Sequence, residues 1–76
     1  ITYPNPTSDY VMLKISDHAL DNLSYHLIDI NGKAISNGHI INGDTQINMH
    51  QLAIGMYILK VSQNNQELKT FKIIKK

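Results

Sequence analysis

The side chains that could carry chemistry are few and are scattered along the chain. The sequence contains four histidines, five aspartates and one glutamate, and it has no cysteine. Without cysteine, thiolate metal sites and cysteine nucleophiles are both excluded. The histidines never form a metal-ligand pattern such as two histidines four residues apart on one helix. We therefore interpret all four as surface or hydrogen-bonded residues; they are His18, His26, His39 and His50.

One aspartate stands in a context that resembles a metal loop. Asp29, Asn31 and Gly32 have the spacing of the start of a calcium-binding loop, but the later oxygen ligands and the terminal glutamate are absent. We favour the alternative in which the Asp29 carboxylate accepts hydrogen bonds from backbone N–H groups of a turn. Glu67 and the aspartates form no evident acid–base pair in the sequence, although pairing in space stays open. We expect no metal, no cofactor and no enzymatic activity.

The charge is concentrated at the carboxyl-terminal end. Residues 69–76 carry four lysines and no acid, a net charge of +4, whereas the first 68 residues hold three lysines against all six acids. A basic end can bind nucleic acid, acidic lipid or a protein receptor, or it can be a solvated sheet edge where lysine discourages edge-to-edge pairing. The chain has no arginine, on which base readout relies, so we do not expect a nucleic-acid partner.

The length of 76 residues predicts one small domain, which buries about 60% of the surface that the unfolded chain exposes. No apolar run approaches the ~20 residues that span a membrane, and no signal peptide opens the chain. The sequence starts at Ile1, directly on strand-like residues. We predict that residues 1–76 form a single domain at the end of a longer exported protein.

Strands must position these side chains, and the strongest strand pattern follows Gly55. Residues 56–62 alternate between two faces, which indicates a β-strand buried on one side. Gly55 allows the backbone to turn sharply into this strand. We predict that this is the central strand of the sheet. Its buried face consists of Tyr57, Leu59 and Val61.

Weaker alternation recurs along the rest of the chain. It covers residues 10–16, 23–30, 33–36, 45–49 and 68–74. In residues 23–30 either face could be the buried one, and we favour the face with Leu27 over the face with Ile28 because the latter also carries Ser24 and His26. The positions predicted to face the core are Val11, Leu13, Ile15, Leu23, Tyr25, Leu27, Ile47 and Met49.

Turn signals separate these segments. Asn–Gly pairs occur at residues 31–32, 37–38 and 42–43. The first pair predicts a two-residue type I′ hairpin, whose central residues both need positive φ, and the other two predict similar turns. Near the start, Pro4 and Pro6 on either side of Asn5 favour an extended backbone. No segment has a sustained 3.6-residue period, so we predict an all-β fold, a small antiparallel β-sandwich of six or seven strands.

Three sequence blocks together resemble a known family, the C-terminal sorting domain of the type IX (Por) secretion system in its type A form. The blocks are residues 3–7, residues 27–33, and residues 52–61 with the lysine-bearing end at 69–75. They stand in the family's order and spacing and span nearly the whole chain. The motif positions are Pro4, Asn5, Pro6, Asp29, Asn31, Gly32, Lys33, Gly55 and Tyr57.

The resemblance implies a transport tag with an immunoglobulin-like fold. Such a domain follows a cargo in the same chain, crosses the periplasm in transit, and is recognised by translocation machinery at the outer membrane without inserting into the membrane. A sortase-like peptidase then removes it, with the cut at or before Ile1, and the cargo is released or joined to surface lipopolysaccharide. We expect the machinery to read the exposed basic strand with Lys69, Lys72, Lys75 and Lys76, and we assign Gly55, Tyr57 and the Asn31–Gly32 turn to maintaining the fold.

The alternative is an immunoglobulin-like accessory or carbohydrate-binding module of a secreted enzyme. Such a module would need exposed aromatic rings aligned on one face. The chain has four tyrosines, of which Tyr25 and Tyr57 fall at positions predicted to be buried. Tyr3 and Tyr10 are left to form such a platform.

Overall fold

Seven antiparallel β-strands are present in a computed structural model, which describes residues 2–3, 9–15, 22–41 and 43–76. The strands are β1 (Thr2–Tyr3), β2 (Tyr10–Lys14), β3 (Leu23–Asp29), β4 (Ala34–His39), β5 (Asp44–Asn48), β6 (Gly55–Gln63) and β7 (Gln66–Lys75). The all-β prediction is therefore confirmed. No helix in the described stretches is long and apolar enough to cross a membrane.

The strands form two sheets. One has three strands in the order β1-β2-β5, and the other has four in the order β4-β3-β6-β7. In the seven-strand immunoglobulin constant arrangement the fourth strand joins the first, second and fifth. Here β4 pairs with β3 instead, which gives an immunoglobulin-like sandwich of three plus four strands. Strand β6 lies between β3 and β7, so its predicted place inside the sheet is confirmed.

The core lies between the two sheets and is built mainly from alternate residues of β2, β3 and β6, with single residues of β5 and β7. Tyr57, Leu59 and Val61 of β6 are buried as predicted, and the favoured face of β3 is the buried one. Tyr25 is half-buried and packs against this core, and Ile40 joins it although no pattern singled it out. The buried apolar residues are Val11, Leu13, Ile15, Leu23, Leu27, Ile40, Ile47, Met49, Tyr57, Leu59, Val61 and Ile73.

The predicted type I′ turn at Asn31–Gly32 is wrong. The Gly32 N–H donates to the Asp29 carbonyl oxygen over 3.0 Å, so the turn is centred on Ile30 and Asn31, neither of which has positive φ. Gly32 follows with φ of 85°, and the loop therefore has three residues, with the glycine in the left-handed position that such loops use. The type I′ geometry occurs instead between β6 and β7, at Asn64 and Asn65, with φ of 52° and 66°.

The predicted turn at Asn37–Gly38 is also wrong, because both residues lie inside β4. A Cβ atom on Gly38 would stand 2.9 Å from Cε2 of Tyr25, which is its register partner on β3. The glycine is thus required by the close approach of the Tyr25 ring rather than by a turn. The third pair cannot be compared, since Asn42 lies outside the described residues, as do Pro4, Asn5, Pro6 and His18.

Candidate recognition site

Strand β7 is the edge of the four-stranded sheet and carries the basic end of the chain. It pairs with β6 along its whole length, from Gln63 opposite Gln66 to Gly55 opposite Lys75. Among the described strands β6 is its neighbour in the sheet, and β7 stands at the end of the strand order. The prediction of a closing edge strand is confirmed, and the strand extends beyond the predicted residues 68–74 at both ends.

The four lysines of this end do not share one face. Residues directly opposite in an antiparallel pair point the same way. Lys72 lies opposite Ile58 on the outer face of the sheet, whereas Lys75 lies opposite Gly55 and shares the core-side face of Ile73. Lys69, Lys72 and Lys76 are exposed.

Lys75 is only 6% exposed, so the prediction that it is displayed with the other lysines is wrong. The strand alternation that buries Ile73 also turns Lys75 towards the core side, where its aliphatic stem can cover apolar surface. The ammonium group donates a hydrogen bond of 3.1 Å to the main-chain oxygen of Lys76. Lys75 is therefore a packing residue, and the exposed basic set consists of Lys69, Lys72 and Lys76.

Strand β7 contains one acid, Glu67, near its first residue and away from Lys72 and Lys75. Glu67 Oε1 is 3.7 Å from Lys60 Nζ, and its other oxygen accepts a 2.9 Å hydrogen bond from the Thr70 hydroxyl. Both side chains of the ion pair are about half exposed, so the pair contributes about 0–1 kcal/mol to stability. No acid occurs in residues 69–76, and the basic character of that end is not cancelled within it.

The hairpin loop between β3 and β4 is fixed by Asp29. One of its carboxylate oxygens accepts hydrogen bonds from the backbone N–H groups of Asn31 and Lys33, each 2.9 Å long. The Asp29 N–H also donates to the Lys33 carbonyl oxygen. The interpretation of Asp29 as a turn acceptor is confirmed. The carboxylate thus stabilises the loop that carries the motif residues Asn31, Gly32 and Lys33.

Gly55 and Tyr57 fix the entry into β6. Gly55 has a φ of 156°, a conformation that residues with a side chain rarely adopt, while a Cβ there would meet no atom within 4 Å. The Tyr57 ring is buried, and its hydroxyl donates a 2.7 Å hydrogen bond to the Ala53 carbonyl oxygen. Both residues act on the backbone at the start of the strand.

The described residues hold no group of three or more histidine or acidic side chains close enough to share a metal ion. His26, His39 and His50 are exposed, as predicted for surface histidines. The chain also forms a shallow, open depression that contains a single histidine and no carboxylate, so it lacks an acid–base pair. This depression is lined by Asn22, Ser24, His39, Asn64 and Asn65.

Two outer-face features emerge only from the strand pairing. On the three-stranded sheet, Tyr3 lies opposite Met12, and Tyr10 lies two residues before Met12 on the same face.

On the four-stranded sheet, the strand register brings aliphatic residues together where β3 ends, β6 begins and β7 ends. We call these residues the outer apolar patch: Ile28, Ile30, Ile54, Met56, Ile58 and Ile74. The sequence signal for this patch was the second apolar face of residues 23–30, which Ile28 and Ile30 occupy.

The sequence is similar to a known protein family. A family model described as the secretion system C-terminal sorting domain matches residues 2–76, which is nearly the entire chain. No curated protein matches the sequence.

Proposed function

The chain belongs to the family of secretion-system C-terminal sorting domains, and from this premise we propose how its signal is read. A domain of this family is a sorting signal of the type IX secretion system. It follows a cargo domain in the same protein and directs that protein across the outer membrane to the cell surface or the extracellular space. We propose that residues 1–76 are one such domain of the type A form, at the carboxyl-terminal end of a larger exported protein.

We propose that the outer-membrane translocation machinery reads the exposed lysines at the end of β7 while the cargo is in the periplasm. The observation that carries this proposal is the position of Lys69, Lys72 and Lys76, which are exposed on or directly after the edge strand β7, within residues 69–76 that contain no acid. Lys75 supports the strand by packing and is not a contact residue. A sortase-like peptidase then cuts at or before Ile1, so cleavage leaves the sandwich intact.

The domain itself is not an enzyme in this proposal. Its role is to be bound, which needs a stable surface and no reacting groups. Burial of Tyr57 and the carboxylate-fixed loop at Asp29 supply that rigidity. The motif residues Pro4, Asn5 and Pro6 have a structural role at the first strand in the same proposal.

The alternative, a carbohydrate-binding accessory module, rests on one observation. Tyr3 and Tyr10 are 44% and 38% exposed and share the outer face of the three-stranded sheet with Met12 between them. Aromatic rings on a flat face can stack on sugars. Binding of the domain to insoluble polysaccharides, lost in Tyr3→Ala and Tyr10→Ala, would support this alternative.

A charge-neutralisation experiment tests the proposed reading directly. The chain is fused to a fluorescent passenger with a periplasmic export signal in a type IX-competent host. The test variant replaces Lys72 and Lys76 with Gln, and the matched control replaces Lys14 and Lys60, which lie outside the basic end and outside the motif positions, with Gln.

Both variants lose two positive charges, so an effect of net charge alone would be the same in each. We expect the test variant to accumulate in the periplasm and the control to be exported like the parent. Equal export of both folded variants would contradict recognition through the basic end.

A further inference from the structure

The outer face of the four-stranded sheet is divided into a polar half and an apolar half. In the half near the β6–β7 hairpin, the outward positions of β3 and β6 are Ser24, His26, Lys60 and Ser62. In the other half, Ile28 pairs with Ile58. The solvated face of an antiparallel sheet is commonly polar. An apolar half on such a face is a candidate contact surface.

The apolar half is well exposed. Ile30 and Ile54 are 67% and 80% exposed, and Met56 and Ile74, which are register partners, are 40% and 37% exposed. Ile30 directly follows β3 and Ile54 directly precedes β6, and these strand ends are neighbours because Asp29 pairs with Tyr57. The register places the half-buried pair Ile28 and Ile58 next to the pair Met56 and Ile74 on the same face, and Ile30 and Ile54 continue the alternation of β3 and β6 by one position. Exposed aliphatic surfaces of this kind mark interaction sites.

Lysines border the patch on the β7 side. Lys72 lies opposite Ile58, and Lys76 follows Ile74 by two residues. Asp29, the acid next to Ile28 along β3, is the register partner of Tyr57 and therefore belongs to the core-side face, not to the outer face that carries the patch. A partner that covers the apolar centre would thus meet positive charge at this rim.

Three other occupants fit less well. A lipid surface is best held by tryptophan, tyrosine or phenylalanine at the interface, and the patch consists of isoleucine and methionine. A second copy of this chain would bring the rim lysines of both copies around one interface, where like charges repel. The upstream cargo joins ahead of β1, which belongs to the other sheet of the sandwich.

We infer that the outer apolar patch is a docking surface for a protein of the translocation machinery whose own contact area is apolar at its centre and acidic at its rim. This inference rests on the proposed function and extends it from the lysines to the adjoining sheet face. The lysines then orient the partner electrostatically, and the isoleucines supply the buried contact area.

A pair of equally exposed isoleucines provides the test. Ile54 is 80% exposed within the patch, and Ile41, which follows β4 outside it, is 77% exposed. Ile54→Thr, alone and with Met56→Thr, is compared with Ile41→Thr in the passenger fusion. Substitutions at such exposed positions leave the free energy of unfolding close to that of the parent, and thermal melts of the purified variants check this.

We expect export of the double patch variant to fall about tenfold, the change in affinity that the loss of roughly 1.4 kcal/mol of apolar contact produces. Ile41→Thr should be exported like the parent. A photo-crosslinking residue at position 54, but not at position 41, should form an adduct with a protein whose deletion blocks export of the parent fusion.

Several outcomes overturn the inference. Normal export of the folded double variant would overturn it. Adducts at position 54 with the passenger, with lipid or with a second copy would also overturn it. Neither result would contradict recognition through the lysines. Retention of the parent fusion in the periplasm would instead remove the proposed function and this inference with it.

Discussion

The Tyr57 hydroxyl donates a 2.7 Å hydrogen bond to the carbonyl oxygen of Ala53, four residues earlier in the chain. Tyr57 lies near the start of the sixth of seven strands. A tyrosine at this place, bonded back to the preceding corner, is a hallmark of immunoglobulin-like sandwiches. The hydrogen bond fixes the loop before β6 against the buried Tyr57 side chain. Residues 52–61, the third block of the family resemblance, therefore have a structural role.

Removing this hydrogen bond without removing the ring should have a measurable cost. Tyr57→Phe keeps the buried ring and leaves the Ala53 carbonyl without this donor, so we expect a loss of about 0.5–1.5 kcal/mol in the free energy of unfolding. Tyr57→Ala also opens a cavity and should cost about 3–5 kcal/mol. Urea unfolding measures both values. A Tyr57→Phe variant as stable as the parent would show that the bond does not stabilise the corner.

We expect substitutions of Gly55 to destabilise the fold because of its backbone conformation and not because of a steric clash. Its φ of 156° is strained for residues with a side chain, and a Cβ atom added at this position would have no neighbouring atom within 4 Å. We expect Gly55→Ala and Gly55→Val to lose similar free energies of unfolding, about 1–3 kcal/mol each. If valine proves much worse than alanine in parallel urea melts, a steric clash is the cause and the backbone explanation fails.

At Gly38, by contrast, we expect a substitution to be limited by a steric clash with a neighbouring side chain. A Cβ there would stand 2.9 Å from the Tyr25 ring. Gly38→Ala is expected to cost about 1–3 kcal/mol, the usual range for overpacking. In a Tyr25→Ala background the same substitution should cost little, and a double-mutant cycle of urea melts measures this coupling. Additive effects of the two substitutions would contradict the proposed contact.

Lys75 and Lys69 offer a comparison of a buried and an exposed lysine on one strand. Lys75 is 6% exposed, and Lys69 is exposed. Lys75→Glu should destabilise the fold by about 1–3 kcal/mol because it places a shorter, oppositely charged group where an aliphatic stem is packed. Lys75→Met should retain most of the stability, and Lys69→Glu should change it by less than about 1 kcal/mol. Equal stability of the two glutamate variants in urea would show that Lys75 is not a packing residue.

The strands are predictable from the sequence because single residues alternate strongly along them. Tyr57, Leu59 and Val61 reveal their face without any knowledge of the partner strands. The same period, continued from Ile73, places Lys75 towards the core, whereas its charge alone predicts a surface position. The position in the strand decides the outcome, because a long lysine stem can pack against apolar surface while its ammonium group finds a hydrogen-bond acceptor.

The turns and the docking face are not predictable in this way, because they depend on contacts between strands. Gly38 resembles a turn glycine until the Tyr25 ring is found above it. The loop at Asn31 has three residues because its hydrogen bond starts at Asp29. The outer apolar patch combines residues of β3, β6 and β7, and only the register of these strands brings them together.

The most direct measurement of the central claim is export of a passenger by residues 1–76 alone. The passenger carries a periplasmic export signal and is expressed with and without the domain in a type IX-competent host and in a strain that lacks the translocation machinery. We predict that the fused passenger appears at the cell surface or in the medium of the competent host only, while the unfused passenger stays in the periplasm of both. Retention of a folded fusion in the periplasm of the competent host, or equal release from both strains, would contradict the account.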